Sequence, residues 1–442
     1  MSYKDLVKRL EDEGFETYLV GGALRDKLLG KEIHDIDLTT RARPSDIMRI
    51  FSDFKLIDIG KKFGTIKVIY KSKEYEITTF RAESSYKDKR HPDEISFSNT
   101  IEEDLKRRDF TINAMAERNG EIIDLFFGKK DLSEKIIRAV GNPYERIEED
   151  YLRALRAVRF ATVLDFSIEK NLKDAIKNKA GHIEEISKER ISDEIDKILL
   201  SDKPSRGIRL LDELNLLTYI FPEVKKMKGF DQHSSHHNLD LFDHSMMVLD
   251  LSPKNLKTRM AALFHDTGKV QSFFLDENGE GRFFGHQEIS KEIIEKRLKE
   301  LKYPKKFIEN TSILVERHMD NTNTYTKKSV RKLLRKVGDE NIYDLFDLQR
   351  ADVLSTVHDN TENISNAKIL LKEILNSNTP RKKDQIDFSG HDLINLGFKE
   401  GKELGDILNE VYNLVMDEKL ENKKSEISKY IKNKYNNLDR NY

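Results

Sequence analysis

Val20–Leu38 reads VGGALRDKLLGKEIHDIDL. An apolar run, Tyr18–Val20, ends at Gly21-Gly22, and the segment closes on Asp35-Ile36-Asp37. Two glycines let the backbone approach a bound group closely, and a helix that opens at such a turn offers its N-terminus to an anion. Arg25 adds a cation one turn into that helix. If Asp35–Asp37 is strand, alternation puts both carboxylates on one face. Such a pair can bridge two Mg²⁺ ions about 4 Å apart. An isolated DxD is also an ordinary surface feature, so the surrounding motifs decide its meaning.

Outward from this segment, Gly64–Tyr70 (GTIKVIY) and Tyr75–Phe80 (YEITTF) read as strands. Glu76 lies on the second, where it either completes a carboxylate triad with Asp35 and Asp37 or faces solvent on a half-buried strand. Beyond Pro143 apolar residues recur at three- and four-residue spacing, as at Leu152, Leu155 and Val158. The fold class is therefore α+β: a small mixed-sheet head followed by an all-helical remainder. A His- and Ser-rich shift at Gly229–Asn238 marks a further boundary. The expected divisions are 1–140 (head), 141–228 (helical neck and body), 229–365 (histidine-containing domain) and 366–442 (helical tail).

A chain of 442 residues suits several modules. Charged residues make up 36% of it, yet the net charge is -1, so binding of nucleic acid would rest on local basic faces. With no cysteine, disulfides and thiolate metal sites are excluded. No apolar run approaches the roughly 20 residues that span a bilayer. The N-terminal MSYKDLVKRLEDEGF is an amphipathic helix pattern without a secretory h-region. A soluble, cytoplasmic protein with no membrane partner is the expectation; the oligomeric state is left open.

VGGALRDKLLGKEIHDIDL, KRRDFTINAMA and RIEEDYLRALRAVRFA, in this order and spacing, resemble class II tRNA nucleotidyltransferases and bacterial poly(A) polymerases of the polymerase β superfamily. The resemblance covers roughly residues 15–225. It implies Asp35 and Asp37 as the Mg²⁺-binding catalytic pair, with Gly21, Gly22 and Arg25 at the nucleotide. It implies that Arg108 contacts the nucleotide while Asp109 and Asn113 shape the sugar pocket. The alternative for Arg107-Arg108 is a solvated basic pair at a helix start. The polar, basic stretch Lys87–Pro92 has no core to bury and should be mobile; in the resembled family a flexible loop here helps to switch the site from CTP to ATP.

RIEEDYLRALRAVRF is predicted to be one helix, with Asp150 and Arg153 at i and i+3 on one face. They form either a helix salt bridge or a reader of bases. Cytosine and adenine both show an amino donor beside a ring-nitrogen acceptor, so a carboxylate and a guanidinium together accept these two bases and reject uracil and guanine. Arg156 and Arg159 continue the spacing and, by resemblance, belong to the nucleotide site.

His244 (LFDHSMMVLD), His265-Asp266 (AALFHDTGKV), His286, His318 and Asp352 offer four imidazoles and two carboxylates. That donor set suits Mn²⁺, Fe²⁺, Ni²⁺ or Mg²⁺, and a bound ion activates water for phosphate-ester hydrolysis. Their order resembles the HD phosphohydrolase superfamily over about residues 235–355. The resemblance implies His244, His265, Asp266 and Asp352 as the basic metal set, with His286 and His318 as the added ligands of two-metal members. A rigid spacer is the other reading of this domain, and His236 and His237 receive no role. Basic faces at Lys327–Lys336 and near Lys423–Lys434 either track tRNA phosphates or are solvated surface.

The sequence therefore predicts an enzyme that adds CCA to the 3′ end of tRNA from CTP and ATP, with a metal-dependent phosphohydrolase-like domain. The rivals are an A-adding enzyme, a poly(A) polymerase, or a metal phosphohydrolase whose head only binds RNA.

Overall fold

The structure, a computed structural model, describes residues 3–33, 36–60, 64–71, 73–82, 96–233, 239–320, 324–356, 361–377, 380, 385–416 and 419–435. Asp35, the Lys87–Pro92 stretch, His236 and His237 lie outside the described residues. The chain divides into two compact units, Met1–Phe230 with Lys296–Lys305, and Asp231–Glu295 with Lys306–Tyr442.

In the first unit, β1 (Thr17–Val20), β2 (Ile36–Thr40), β3 (Lys55–Gly60), β4 (Thr65–Tyr70), β5 (Lys73–Thr79), β6 (Ala116–Arg118) and β7 (Glu121–Ile123) form one mixed sheet of order β3-β4-β5-β2-β1-β6-β7. β2 and β5 run parallel and the other neighbours antiparallel. The period-two pattern works as the sequence predicts: Tyr75 and Ile77 are buried while Glu76 between them is half-exposed. The register places Leu38 beside Ile77 on the core face and Asp37 beside Glu76 on the other.

Helices dominate from Pro143 onward, interrupted only by short strand pairs among the described residues. One local expectation fails. RIEEDYLRALRAVRF is not one helix: Pro143–Glu149 ends at Asp150, whose backbone is extended (φ −154°, ψ 104°), and a new helix runs over Leu152–Leu164. The Asp150 carboxylate accepts the Leu152 N–H at 3.0 Å. Such a local side-chain bond offers the backbone an alternative to helical continuation, as short polar residues do.

The second unit is helical. Within it, Phe388, Leu393, Ile407, Val411, Val415, Ile427 and Ile431 form a core cluster of their own near the C-terminal end. Lys327–Val337 is an amphipathic helix that buries Val330, Leu333, Leu334 and Val337 and leaves Lys327, Lys328, Lys332, Arg335 and Lys336 exposed.

Candidate active site and metal centre

In the first unit the helix Gly21–Leu28 starts directly from β1, with Gly21 at φ +64°. A Cβ on Gly21 would sit 3.2 Å from Asp37 Oδ2 and 3.1 Å from Arg108 Nη1, in a backbone region that L side chains rarely adopt. Glycine here brings the helix start against both groups. Around that point opens a cavity of about 600 Å³, the size of a nucleotide site. Its lining includes Gly21, Gly22, Arg25, Asp37, Arg108, Asp109, Asn113, Asp150, Arg153, Arg156 and Arg159. It also includes Arg107, Phe160 and Arg190. Seven arginines against four aspartates on this wall suit a polyanion.

Each guanidinium has a carboxylate partner. Arg25 pairs with Asp26 at 2.7 Å. Arg107 and Arg108 share Asp104, a side chain with no solvent exposure. Arg153 pairs with Glu149, Arg156 with Asp109 at 2.6 Å, Arg159 with Glu194 at 2.6 Å and Arg190 with Asp150 at 2.6 Å. Asn113 joins two of these pairs, its Oδ1 accepting from Arg25 at 2.9 Å and its Nδ2 donating to Asp109 at 3.3 Å. The guanidinium of Arg159 lies 4.0 Å from the Phe160 ring centroid. Burial pushes the Asp104 carboxyl up, but Arg108 and Arg107 outweigh it and hold the group below the usual carboxylate range. Asp109 is likewise raised by burial and lowered further by Arg156.

The Asp150–Arg153 salt bridge, one of the two alternatives for this pair, does not form. The break at Asp150 separates them: Arg153 Nη1 goes to Glu149 and to the Arg146 carbonyl, and Asp150 goes to Arg190. Both still line the cavity. Arg107-Arg108 is not a solvated pair, since Asp104 anchors both. Glu76 is beside Asp37 in register but is not among the cavity-lining residues; its carboxylate lies 3.5 Å from Lys67 and its side chain is 47% exposed. Asp104 and Arg190 escaped the sequence reading. Asp104 stands three and four residues before Arg107 and Arg108, a helical spacing that signals the contact; Arg190 is 40 residues from Asp150 and carries no local signal.

In the second unit His244, His265, Asp266, His286 and His318 converge and are buried. Asp266 stands between two groups. Its Oδ2 faces His265 Nε2 at 3.2 Å and His244 Nε2 at 3.5 Å. Its Oδ1 faces His286 Nε2 at 3.3 Å and His318 Nε2 at 3.6 Å. Asp352 Oδ1 lies 3.2 Å from His244 Nε2 and, 25% exposed, is the more open edge of the cluster. His265, His286 and His318 each place Nδ1 on the carbonyl three residues back, at 2.8, 2.9 and 2.6 Å. A carbonyl only accepts, so Nδ1 carries the proton and Nε2 presents its lone pair inward. Yet the Nε2 atoms of His286 and His318 are 3.3 Å apart. Facing lone pairs at that distance fit a shared cation. Lys269, buried, reaches Asp266 Oδ2 at 2.8 Å. A Cβ on Gly268 would lie 2.2 Å from the His286 carbonyl oxygen, so only glycine lets the HDTGK turn meet the start of the His286 helix.

The mixed-sheet head, the arginine-lined cavity and the glycine turn define a nucleotidyltransferase. Residues 17–138 match the model for the poly A polymerase head domain, 165–228 that for the probable RNA and SrmB-binding site of polymerase A, and 283–431 that for a putative tRNA nucleotidyltransferase domain 2. The CCA-adding enzyme of Lactobacillus helveticus is 33% identical over 434 residues, covering 96% of this chain and 95% of that one. That of Pediococcus pentosaceus is 43% identical over 57% of this chain and 63% of its own. The crystal structure of the Bacillus stearothermophilus CCA-adding enzyme in complex with CTP aligns over the whole of both chains at 27% identity, with a TM-score of 0.77. The chain belongs to the CCA-adding enzyme family, whose nucleotidyl transfer uses a divalent metal. Among the described residues no helix is long and apolar enough to cross a membrane.

Asp104 yields a test of the arginine anchor. Its lowered pKa means the ionised form favours the folded state; that contribution is complete above the ordinary carboxylate pKa near 4 and is lost as the pH falls further. Asp104→Asn should cost about 3–5 kcal/mol at pH 7, because Arg107 and Arg108 lose a buried partner. In denaturant titrations the gap between wild type and variant should narrow below pH 4; a gap constant from pH 7 to pH 3 would mean that the charge of Asp104 contributes nothing.

Proposed function

We infer that this chain adds CMP, CMP and then AMP to the 3′ end of tRNA, from CTP and ATP and without a nucleic-acid template. The observation that carries the reading is the cavity in which the Gly21 helix start, Asp37 and seven arginines meet Asp150 and Arg153. The terminal ribose 3′-oxygen bonds to the α-phosphorus, the bond from that phosphorus to the bridging oxygen breaks, and pyrophosphate leaves. Asp35 and Asp37 are the residues to hold Mg²⁺, which when bound activates the attacking hydroxyl and offsets charge on the leaving group. The hard oxygen donor of Asp37, beside the Gly21 turn, fits that ion. Arg25, Arg107 and Arg108 receive the triphosphate, to whose oxygens they donate in a site already ordered by carboxylates. Arg156 and Arg159 order the pocket through Asp109 and Glu194, and Phe160 gives it an apolar wall. Asp150 accepts from the exocyclic amino group of C or A while Arg153 donates to the ring nitrogen. Full CCA addition, as opposed to A or poly(A) addition, is supported by the shared name of the relatives.

A second reading concerns the other unit, where the converging Nε2 atoms favour a divalent transition metal. His244, His265, Asp266 and Asp352 would hold one ion, and Asp266, His286 and His318 a second. Bound there, the metal supplies a hydroxide nucleophile for phosphate-ester hydrolysis.

Asp37→Ala should abolish addition of both CMP and AMP to tRNA transcripts ending at the discriminator base, at C and at CC, while tRNA binding persists through distributed phosphate contacts. Normal CMP addition by this variant would remove Asp37 from catalysis. Asp150→Ala should relax discrimination against UTP and GTP, each lost charged hydrogen bond costing about 1.5–3 kcal/mol; unchanged selectivity would leave Asp150 a structural residue. For the second unit, metal analysis of the purified chain should find transition metal that the His265→Ala/Asp266→Ala double variant lacks, together with loss of hydrolysis of simple phosphate esters. CCA addition should survive in that variant. A metal-free wild type that hydrolyses nothing would leave this unit a spacer.

A further inference from the structure

Asp150 belongs to neither helix that flanks it. An acceptor that selects bases must hold its carboxylate plane still, since a swinging carboxylate accepts from many donors equally well. Two bonds hold it here. The Leu152 N–H donates to Oδ1 at 3.0 Å, and the Arg190 guanidinium lies 2.6 Å from Oδ2. A carboxylate offers about four lone-pair positions, so these two bonds leave room for an incoming amino group.

Arg190 stands in the first turn of the helix Lys188–Leu199, and its side chain is 42% exposed. A long arm so open gains little from packing. Its order comes from the charged contact with Asp150, and its side chain forms part of the cavity wall. Arg25, Arg107, Arg108, Arg156 and Arg159 pair with carboxylates that order the phosphate site or the pocket, and Arg153 with Glu149, whereas Arg190 pairs with the carboxylate proposed to read the base. We propose that Arg190 is a positioning residue for base selection: it fixes the Asp150 carboxylate through Oδ2, the oxygen that the Leu152 N–H does not use, and thereby sets discrimination of C and A from U and G. This rests on the reading of Asp150 as the base acceptor.

The test compares wild type, Arg190→Ala, Arg190→Lys and Asp150→Ala with tRNA transcripts ending at C and at CC. KM and kcat are measured for CTP, ATP, UTP and GTP separately. Arg190→Ala should lower the preference for CTP over UTP about tenfold, through a higher KM for CTP and ATP with kcat less affected. Arg190→Lys, which keeps the charge, should recover most of that preference. A KM that rises equally for all four nucleotides would make Arg190 a phosphate contact and overturn the proposal, as would unchanged kinetics. If Asp150→Ala itself leaves selectivity intact, the base-reading role of Asp150 has failed. If Asp150→Ala relaxes selectivity and Arg190→Ala does not, only the role of Arg190 has failed.

Discussion

Seven guanidiniums lining one cavity would repel one another strongly if left alone, and more so where the protein lowers the local dielectric. The first unit resolves this by giving each a carboxylate, and by burying the one that serves two of them, Asp104. The pairing keeps the empty cavity tolerable in energy. It also aims the remaining N–H donors before any ligand arrives, so little side-chain ordering is left to oppose binding. Phe160 and Asn113 add neutral surfaces that connect the pairs without competing for phosphate.

The two units differ in donor chemistry, and this supports separate tasks. Near the glycine turn the group proposed to hold metal is the carboxylate of Asp37, an oxygen donor of the kind that suits a hard ion. In the second unit imidazoles dominate, and the ring orientation of His265, His286 and His318 is set by backbone carbonyls three residues back. This geometry costs little to form. Three of the four rings bond to their own turn, so their lone pairs converge once the helices pack, and His244 is oriented instead by the Ser355 hydroxyl, 3.1 Å from its Nδ1.

What the sequence revealed follows from the range over which each feature acts. Gly21-Gly22 and Asp37 act within a turn or a strand, where spacing locates them, while Arg108 and Asp109 were located by the resemblance that KRRDFTINAMA carries. The His-Asp set was legible because an HD pair ending in a GK turn is an uncommon string, although its members come from five separated stretches. β3, β6 and β7 went unread; β6 and β7 are three residues each, too short to show a period. Arg190 was invisible because its contact with Asp150 is made by folding. Glu76 was set in the triad or in solvent from its strand alone; its pairing opposite Lys67, 3.5 Å from its carboxylate, is made by folding.

The misread helix is the instructive case. In one continuous helix Asp150 and Arg153 would face each other at i and i+3, and the pair would spend its hydrogen-bonding capacity on itself. The turn at Asp150 prevents this. Arg153 directs N–H groups to Glu149 and to the carbonyls of Arg146 and Arg107, which fix its plane while leaving further donors of the five. Asp150 is held by the Leu152 N–H and by Arg190. Separation thus turns a potential salt bridge into two independently braced groups, one acceptor and one donor. A base edge that shows an amino group beside a ring nitrogen needs both at once, each with capacity unspent. On the proposed base-reading role, the helix break is what leaves both side chains available to one base edge with no template strand.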